Sequence, residues 1–513
     1  MQKVETKARS STAKPVFNSS FFIRHSAFVL IALSALAVRL PRLGERPMHT
    51  DEAVNAYIVG QLLAGEPFRY DPQDRHGPAL AAETLPVVKC FRVKKFADLK
   101  ESQLRLVPVL TGAATVLMFG AGVEMFGFSA CLVAALLFAF APLTVYYNRY
   151  FIHETLFVAA TWGLMLSGWP AVLNKSYFSA AFAGGCAALM LACKETAVLH
   201  FFGLGLAGLA GWILSSPKKA VAGLVSPKIT LTAFVVFLFV VILLFTWFGR
   251  NWHVFANGSH AAAYSAARAA GEGHEKPIWY YLRLLGGGGS GGILLGLAAL
   301  GIFGVLARSF RQAKSGPPDA RFFLAIYALV IWVIYSAIPY KTPWLALNFW
   351  LPLAIFAGLG GEWLWQRASA VRRLFWAVVV ALGLLLVNDT WHRAFANPAG
   401  EMNPFAYAHT SEDLLRLPPR LAELARQNKL SDPRIAVVAA DAWPLPWYLR
   451  RFSQVGYWQP GQETGVADFF ITPPDVSGPL AARLKNFRPE YFGVRPDVLL
   501  VLWSPLEIAP HHE

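Results

Sequence analysis

Charge is scarce in this chain. Of 513 residues only 15% are Asp, Glu, Lys or Arg, against 55% hydrophobic, too few to solvate the surface of a water-soluble globule of this size. Cysteine is scarce as well. Cys90, Cys131, Cys186 and Cys193 form no paired framework, and three of them lie within apolar runs, so they read as small hydrophobes and not as disulfide partners or metal ligands. Zinc-ligand spacing, a Walker loop, a dinucleotide fingerprint and a G-x-S-x-G elbow are all missing. Their absence removes ATP-driven transport by this chain alone and a nucleophile-elbow hydrolase. Tandem repeats and low-complexity tracts are lacking too, apart from Gly286–Gly292, GGGGSGG, which reads as a flexible hinge or loop.

What the chain has in abundance is apolar and aromatic surface. Seventeen Trp and 38 Phe suit a membrane protein, whose rings sit at the interfaces and fill helix contacts. Apolar stretches of about 20 residues, enough to cross a bilayer, recur at about 21–40, 104–123, 129–147, 152–170, 177–193, 196–214, 229–248, 291–307, 321–338, 344–361 and 373–389. They predict an all-α polytopic membrane protein with about 11 transmembrane helices. The net charge of +15 is uneven: from Arg393 onward 12 Lys/Arg face 13 Asp/Glu. The basic excess therefore belongs to the first 390 residues, where it falls between hydrophobic runs. A nucleic-acid surface would gather it into one patch, so topology accounts for it better and no nucleic-acid partner is expected.

Orientation follows from the positive-inside rule. Lys3, Lys7, Arg9, Lys14 and Arg24 put the N-terminal arm in the cytoplasm. Alternation then assigns short basic cytoplasmic loops to Lys218, Lys219 and Lys228, to Arg308, Arg311 and Lys314, and to Arg367, Arg372 and Arg373. The first run continues into Arg39 and Pro41 without a small-residue cleavage site, and reads as a retained anchor of an inner or plasma membrane. An odd number of spans leaves the C-terminus outside. Residues 391–513 are Pro-rich and charge-balanced, with short β-like runs at Arg434–Ala440 and Asp497–Trp503. They predict a small extracytoplasmic α/β domain following a transmembrane domain of residues 1–390, whose first outer loop, 41–103, is long.

The polar constellations all fall on that outer side. Asp51 and Glu52 open a short amphipathic helix where the chain leaves the first span. A carboxylate there could be a general base toward an acceptor hydroxyl or hold a divalent cation against a phosphate; equally, Thr50 or Asp51 could cap the helix. His76-Gly77-Pro78 reads as a turn. In YYNRYFIHETL, the charges of Arg149, His153 and Glu154 are expensive at a membrane boundary and face a cavity or a partner: Glu154 opposite Asp51 as a second carboxylate, or Arg149–Glu154 as an ion pair. In CKETAV, Lys194 suits a lipid phosphate as a compact point charge, or pairs with Glu195. In IPYKTPWLALNF, Lys341 beside Tyr340 is a phosphate or sugar contact, or snorkels to headgroups. The Gly hinges beside Trp279, Tyr280 and Tyr281 suit a lid over about 249–290.

An acidic pair after the first span, HGP some 25 residues on and LRLVP leading into the second span together resemble the GT-C superfamily of membrane glycosyltransferases. The resemblance is to the dolichyl-phosphate-mannose protein mannosyltransferases (glycosyltransferase family 39) and the aminoarabinose transferases. The strings DEAVNAY, CKETAV, PYKTPWL, NPFAYAHTSEDL and WPLPWYLR are similar to a narrower branch, the flippase-activity-associated proteins of surface glycosylation. The resemblance covers nearly the whole chain. It implies a polyprenyl-phosphate-linked sugar donor entering from the bilayer lipid and transfer to an extracytoplasmic protein, lipid or glycan acceptor. Asp51 matches the first-loop acidic residue, proposed in the superfamily as base or metal ligand, and Glu154 the second-loop acidic position, often Asp in relatives. Lys194 and Lys341 fall where relatives carry basic residues near the donor phosphate. The candidate site is thus Asp51 and Glu154 as catalytic carboxylates, with Asp51 also a candidate ligand for a divalent metal ion. Glu52, His76, Arg105, Arg149, His153, Lys194, Glu195, Tyr340 and Lys341 are the candidate substrate contacts. The competing expectation is a non-catalytic translocase or flippase-associated factor using the same cavity.

Overall fold

The computed structural model describes residues 19–71, 75–214, 226–254, 273–288, 290–312, 319–368 and 372–506. Lys3, Lys7, Arg9, Lys14, Lys218, Lys219, Lys314 and most of the expected lid (255–272) lie outside them.

Each apolar run forms helix. The first is α1 (Ser19–Arg39); the first outer loop contributes α2 (Thr50–Leu63) and α3 (Ala79–Cys90). Then come α4 (Glu101–Phe126), α5 (Phe128–Phe140), α6 (Pro142–Tyr147), α7 (Glu154–Asn174), α8 (Tyr177–Cys193), α9 (Ala197–Leu214) and α10 (Pro227–Phe245). A short α11 (Tyr280–Gly286) precedes α12 (Gly291–Gln312), α13 (Ala320–Ala337), α14 (Leu347–Arg367) and α15 (Arg372–Trp391). Among the described residues eight segments are long and apolar enough to cross a membrane: α4, α7, α9, α10, α12, α13, α14 with its leading turn from Pro343, and α15 extended to Ala396. The apolar stretches His25–Arg39, Phe128–Phe140 and Tyr177–Cys193 are shorter.

The run read as one span over 129–147 is two helices. Pro142 has no N–H to continue α5 and forces the residue before it out of helical geometry; Ala141 is accordingly extended, with φ −67° and ψ 142°. This break turns α6 and the following loop, residues 148–153, across the end of the bundle, where the candidate residues gather. Within the bundle α7 and α10 flank α8, α12 packs on α14, and α9 on α13. Gly301 and Gly360 let α12 and α14 approach backbone to backbone: a Cβ on either would lie 2.1 Å from a carbonyl oxygen of the other helix.

Beyond α15, helix α16 (Leu417–Gln427) leads into a five-stranded mixed sheet. Its strands are β1 (Arg434–Val438), β2 (Gln454–Trp458), β3 (Phe469–Thr472), β4 (Phe487–Arg495) and β5 (Val498–Pro505), in the order β2-β1-β3-β5-β4. Parallel pairs join β1 to β2 and β3, and β5 runs antiparallel to β3 and β4. The α/β expectation for the C-terminal part holds. This domain does not sit apart from the first loop. Ala53, Ala56 and Val59 of α2 and Leu80 and Val88 of α3 share one hydrophobic core with Leu421, Ile435, Trp447, Phe469 and Leu502. Hydrogen bonds seal the junction: Met48 N–H to the Tyr448 hydroxyl (2.8 Å), Thr410 Oγ1 to the Met48 carbonyl (2.7 Å) and Trp447 Nε1 to Glu101 Oε1 (2.8 Å).

Candidate active site

The N-cap of α2 is neither Thr50 nor Asp51 but His49. Its Nδ1 accepts the Asp51 N–H at 3.1 Å, and Glu52 reaches back to accept the His49 N–H at 3.1 Å, closing a capping box. Freed from capping, the Asp51 side chain is half exposed.

Glu52 has the opposite environment. It is wholly buried, and its two oxygens take Arg105 Nε and Nη2, each at 2.8 Å, the Phe151 N–H at 2.9 Å and Arg46 Nη2 at 3.4 Å. Burial alone would raise its pKa; Arg105 and Arg46 outweigh burial and hold the carboxyl well below its ordinary range. Arg105 spends its other donors on the carbonyls of Leu43, Arg46 and Pro47. The pair thus clamps the strand that leads into α2, and neither side chain reaches solvent. Arg149 is similarly committed. It donates to the carbonyls of Arg39, Pro41 and Arg42 and lies over the Phe395 ring, and it forms no pair with Glu154.

Glu154 opens α7 and pairs instead with Lys194, both buried. Glu195, in turn, does not pair with Lys194. Its oxygens bind the Tyr70 hydroxyl (2.8 Å) and His76 Nδ1 (3.1 Å). Burial pushes Glu195 up, but the His76 and Tyr70 hydrogen bonds prevail and bring its pKa down to about 2. The HGP turn makes this junction. The Gly77 N–H donates to the Cys193 carbonyl at 3.3 Å, and a Cβ at Gly77 would lie 2.2 Å from the Ala192 oxygen, so only glycine lets the first loop lie on the end of α8. The His76 ring meets His153 edge-on, centroids 5.3 Å apart. His153 is buried, and burial, with His76 and Lys194 nearby, keeps it well below the ordinary imidazole pKa.

Sequence reasoning did not single out Asn55, His49, Tyr70 or His409. Asn55, one turn after Asp51 and on the same face of α2, donates to the Phe151 carbonyl at 3.2 Å and lines a small cavity with Ile58, His76, Phe151 and His153. Its i, i+4 spacing from Asp51 was the available signal. The structure therefore brings Asp51, His76, His153, Glu154, Lys194 and Glu195 to one end of the bundle. Lys341 is buried between the Lys276 and Ile338 carbonyls (3.0 and 2.5 Å) and does not snorkel; it lies three residues before Trp344, whose ring meets His49. Tyr340 pairs through its backbone with Glu275 and packs its ring on His274. Among the described residues no three His, Cys, Asp or Glu side chains are arranged to hold a metal ion. Asp51 would supply a single carboxylate, and His49 Nδ1 beside it is spent on the cap.

No protein-family model matches the chain, and no curated protein does. Solved structures do, and the chain shares the fold of ArnT and of the oligosaccharyltransferase AglB. ArnT from Cupriavidus metallidurans, bound to undecaprenyl phosphate, superposes with a TM-score of 0.63 at 17% identity, covering 94% of this chain and 99% of that one. The archaeal oligosaccharyltransferase AglB from Archaeoglobus fulgidus, in complex with an inhibitory peptide and a dolichol-phosphate, does so with a TM-score of 0.57 at 12% identity, covering 95% and 77%.

Proposed function

We propose that this integral membrane protein transfers a sugar from a polyprenyl-phosphate-linked donor to an acceptor (protein, lipid or glycan) at the extracytoplasmic face, with its N-terminus in the cytoplasm. One observation carries the reading. Of two adjacent carboxylates, Glu52 is locked into a charged clamp that fixes the start of α2, and Asp51 is held out half exposed, one helical turn before Asn55, which lines a small cavity with His76 and His153. That is the arrangement a general base requires: a rigid backbone and an accessible carboxylate. The polyprenyl phosphates bound to ArnT and AglB support the donor class.

In this reading Asp51 takes the proton of the acceptor hydroxyl as its oxygen attacks the anomeric carbon. The bond from that carbon to the phosphate oxygen breaks, and polyprenyl phosphate leaves with the electron pair. The leaving group is anionic, so the protein's task is positive charge and exclusion of water; in this reading Lys194 and His76, gathered at the first loop and the ends of α7 and α8, supply positive and hydrogen-bonding groups. The test is transfer by the purified chain in nanodiscs with radiolabelled polyprenyl-phosphate sugars. Asp51→Asn is expected to stay folded and to lose about 10²- to 10⁴-fold in rate; undiminished transfer would remove Asp51 from the mechanism.

One observation favours a second reading, a non-catalytic factor for translocation of lipid-linked sugars. Glu154 is neutralised by Lys194, so the site offers one free candidate carboxylate and not two. That reading expects Lys194→Ala to abolish transbilayer movement of the donor and Asp51→Asn to leave it intact.

A further inference from the structure

The cap of α2 is an uncommon choice. Ser, Thr, Asp and Asn lead at that position because a short side chain bearing oxygen reaches the helix N–H groups, and Thr50 stands next to His49. The chain nevertheless caps with an imidazole, on an extended residue with φ −69° and ψ 157°. A ring does there what a hydroxyl cannot, since it fills the space where three separate segments meet. The His49 ring lies 5.4 Å from Tyr150 in the loop before α7, 5.9 Å from Trp344 in the turn before α14 and 5.7 Å from His409 in the segment before α16. His49 and His409 are 4% and 2% exposed. Because Nδ1 of His49 accepts, its proton is on Nε2; His409 turns Nδ1 to the Thr410 carbonyl at 3.0 Å, which leaves its Nε2 as an acceptor. The charged and titratable groups around the ring are Asp51 and Glu52 of α2, Arg46 before it, Tyr150 and His409.

We propose that His49 is a positioning residue for Asp51: its Nδ1 holds the first turn of α2, and Tyr150, Trp344 and His409 fix the ring in the orientation that allows this. The inference rests on the sugar-transfer reading and deepens it. It couples Asp51 to the 343–346 turn and the 403–410 segment, which contribute no group to the Asp51 carboxylate itself.

The experiment uses the full chain in nanodiscs with the same donor panel. It measures transfer kinetics and hydrogen exchange at the amides of Thr50 to Ala53 in wild type, His49→Ala and His49→Asn. Alanine removes the acceptor; asparagine keeps one and is a good cap. His49→Ala is expected to lower kcat between about 10- and 100-fold with donor KM changed less than about threefold, as a displaced group would, and to speed exchange at the Asp51 amide. His49→Asn is expected to restore both to within about threefold of wild type. Unchanged kcat in His49→Ala overturns the proposal, and so does an Asn variant as slow as the Ala variant with its cap amides protected. If wild type transfers but the amides exchange alike in all three, this inference fails and the transfer reading stands. If wild type transfers from no donor while His49→Ala still exposes the cap, the transfer reading fails and the positioning role falls with it.

Discussion

Asp51 and Glu52 are neighbours in sequence, yet successive side chains leave a helix about 100° apart, and that rotation separates a solvent-facing group from one in the interior. The sequence marks the pair without saying which is which, because the partners of Glu52 lie 53 residues on at Arg105 and 99 on at Phe151. The clamp makes a prediction. Glu52→Gln leaves Arg105 buried without its counter-charge and should cost about 3–5 kcal/mol, seen as a lowered unfolding temperature in detergent; Asp51→Asn, at an exposed position, should change stability by no more than about 0.5 kcal/mol. Acid should destabilise the fold in a defined window. Burial is the first cause that keeps His49, His153 and His409 below the ordinary imidazole pKa, reinforced by Arg46 at His49 and His409 and by His76 and Lys194 at His153. Depressed imidazoles make the unfolded chain the better proton binder, so their stabilisation is complete above about pH 6.5 and is lost as pH falls below it. Glu195 adds the same sign lower down: its contribution is present above about pH 4.5 and disappears toward pH 2. A thermal-unfolding profile that stays flat between about pH 7.5 and 5 would contradict the buried-imidazole account.

At the scale of elements, the apolar runs were legible because burying a helix in lipid demands an apolar surface over its whole length, and the strands at 434 and 498 were legible from β-branched and leucine-rich runs in a charge-balanced tail. The break at Pro142 was readable in principle, since proline's missing N–H is a local property, but the long apolar run around it hid the signal. The HGP turn was readable as a turn only. Its purpose depends on the end of α8, more than 100 residues away, whose carbonyls receive it. The ion pairs were the least legible feature: adjacency suggested Lys194–Glu195 and Arg149–Glu154, whereas the fold re-sorts these charges among α7, α8 and the first loop. Gly77→Ala tests the turn. The added methyl must lift the loop off α8, which should break the His76–Glu195 contact, lower stability by about 1–3 kcal/mol and reduce transfer. A variant with wild-type unfolding temperature and activity would show that the loop yields without consequence.

For the whole molecule, the important contact is the core that the first loop shares with the C-terminal domain. Trp447 is fully buried in it and bonded to Glu101. Trp447→Ala should cost about 3–5 kcal/mol and open residues 41–103 to protease at concentrations that leave the wild-type loop intact. Unaltered cleavage would mean that α2 and α3 stand without the domain. The same core has a consequence for synthesis. The Met48 N–H waits for a hydroxyl 400 residues downstream, and the apolar face of α2 is covered by strands made long after it. Throughout translation the helix bearing Asp51 therefore lacks its lasting cover, and its final shape is set only when the C-terminal strands arrive. A chain cut short before these strands would be inserted and apolar, and still lack an ordered Asp51. Such products should be recognised by quality-control proteases through the uncovered first loop, and not through any defect within the bilayer.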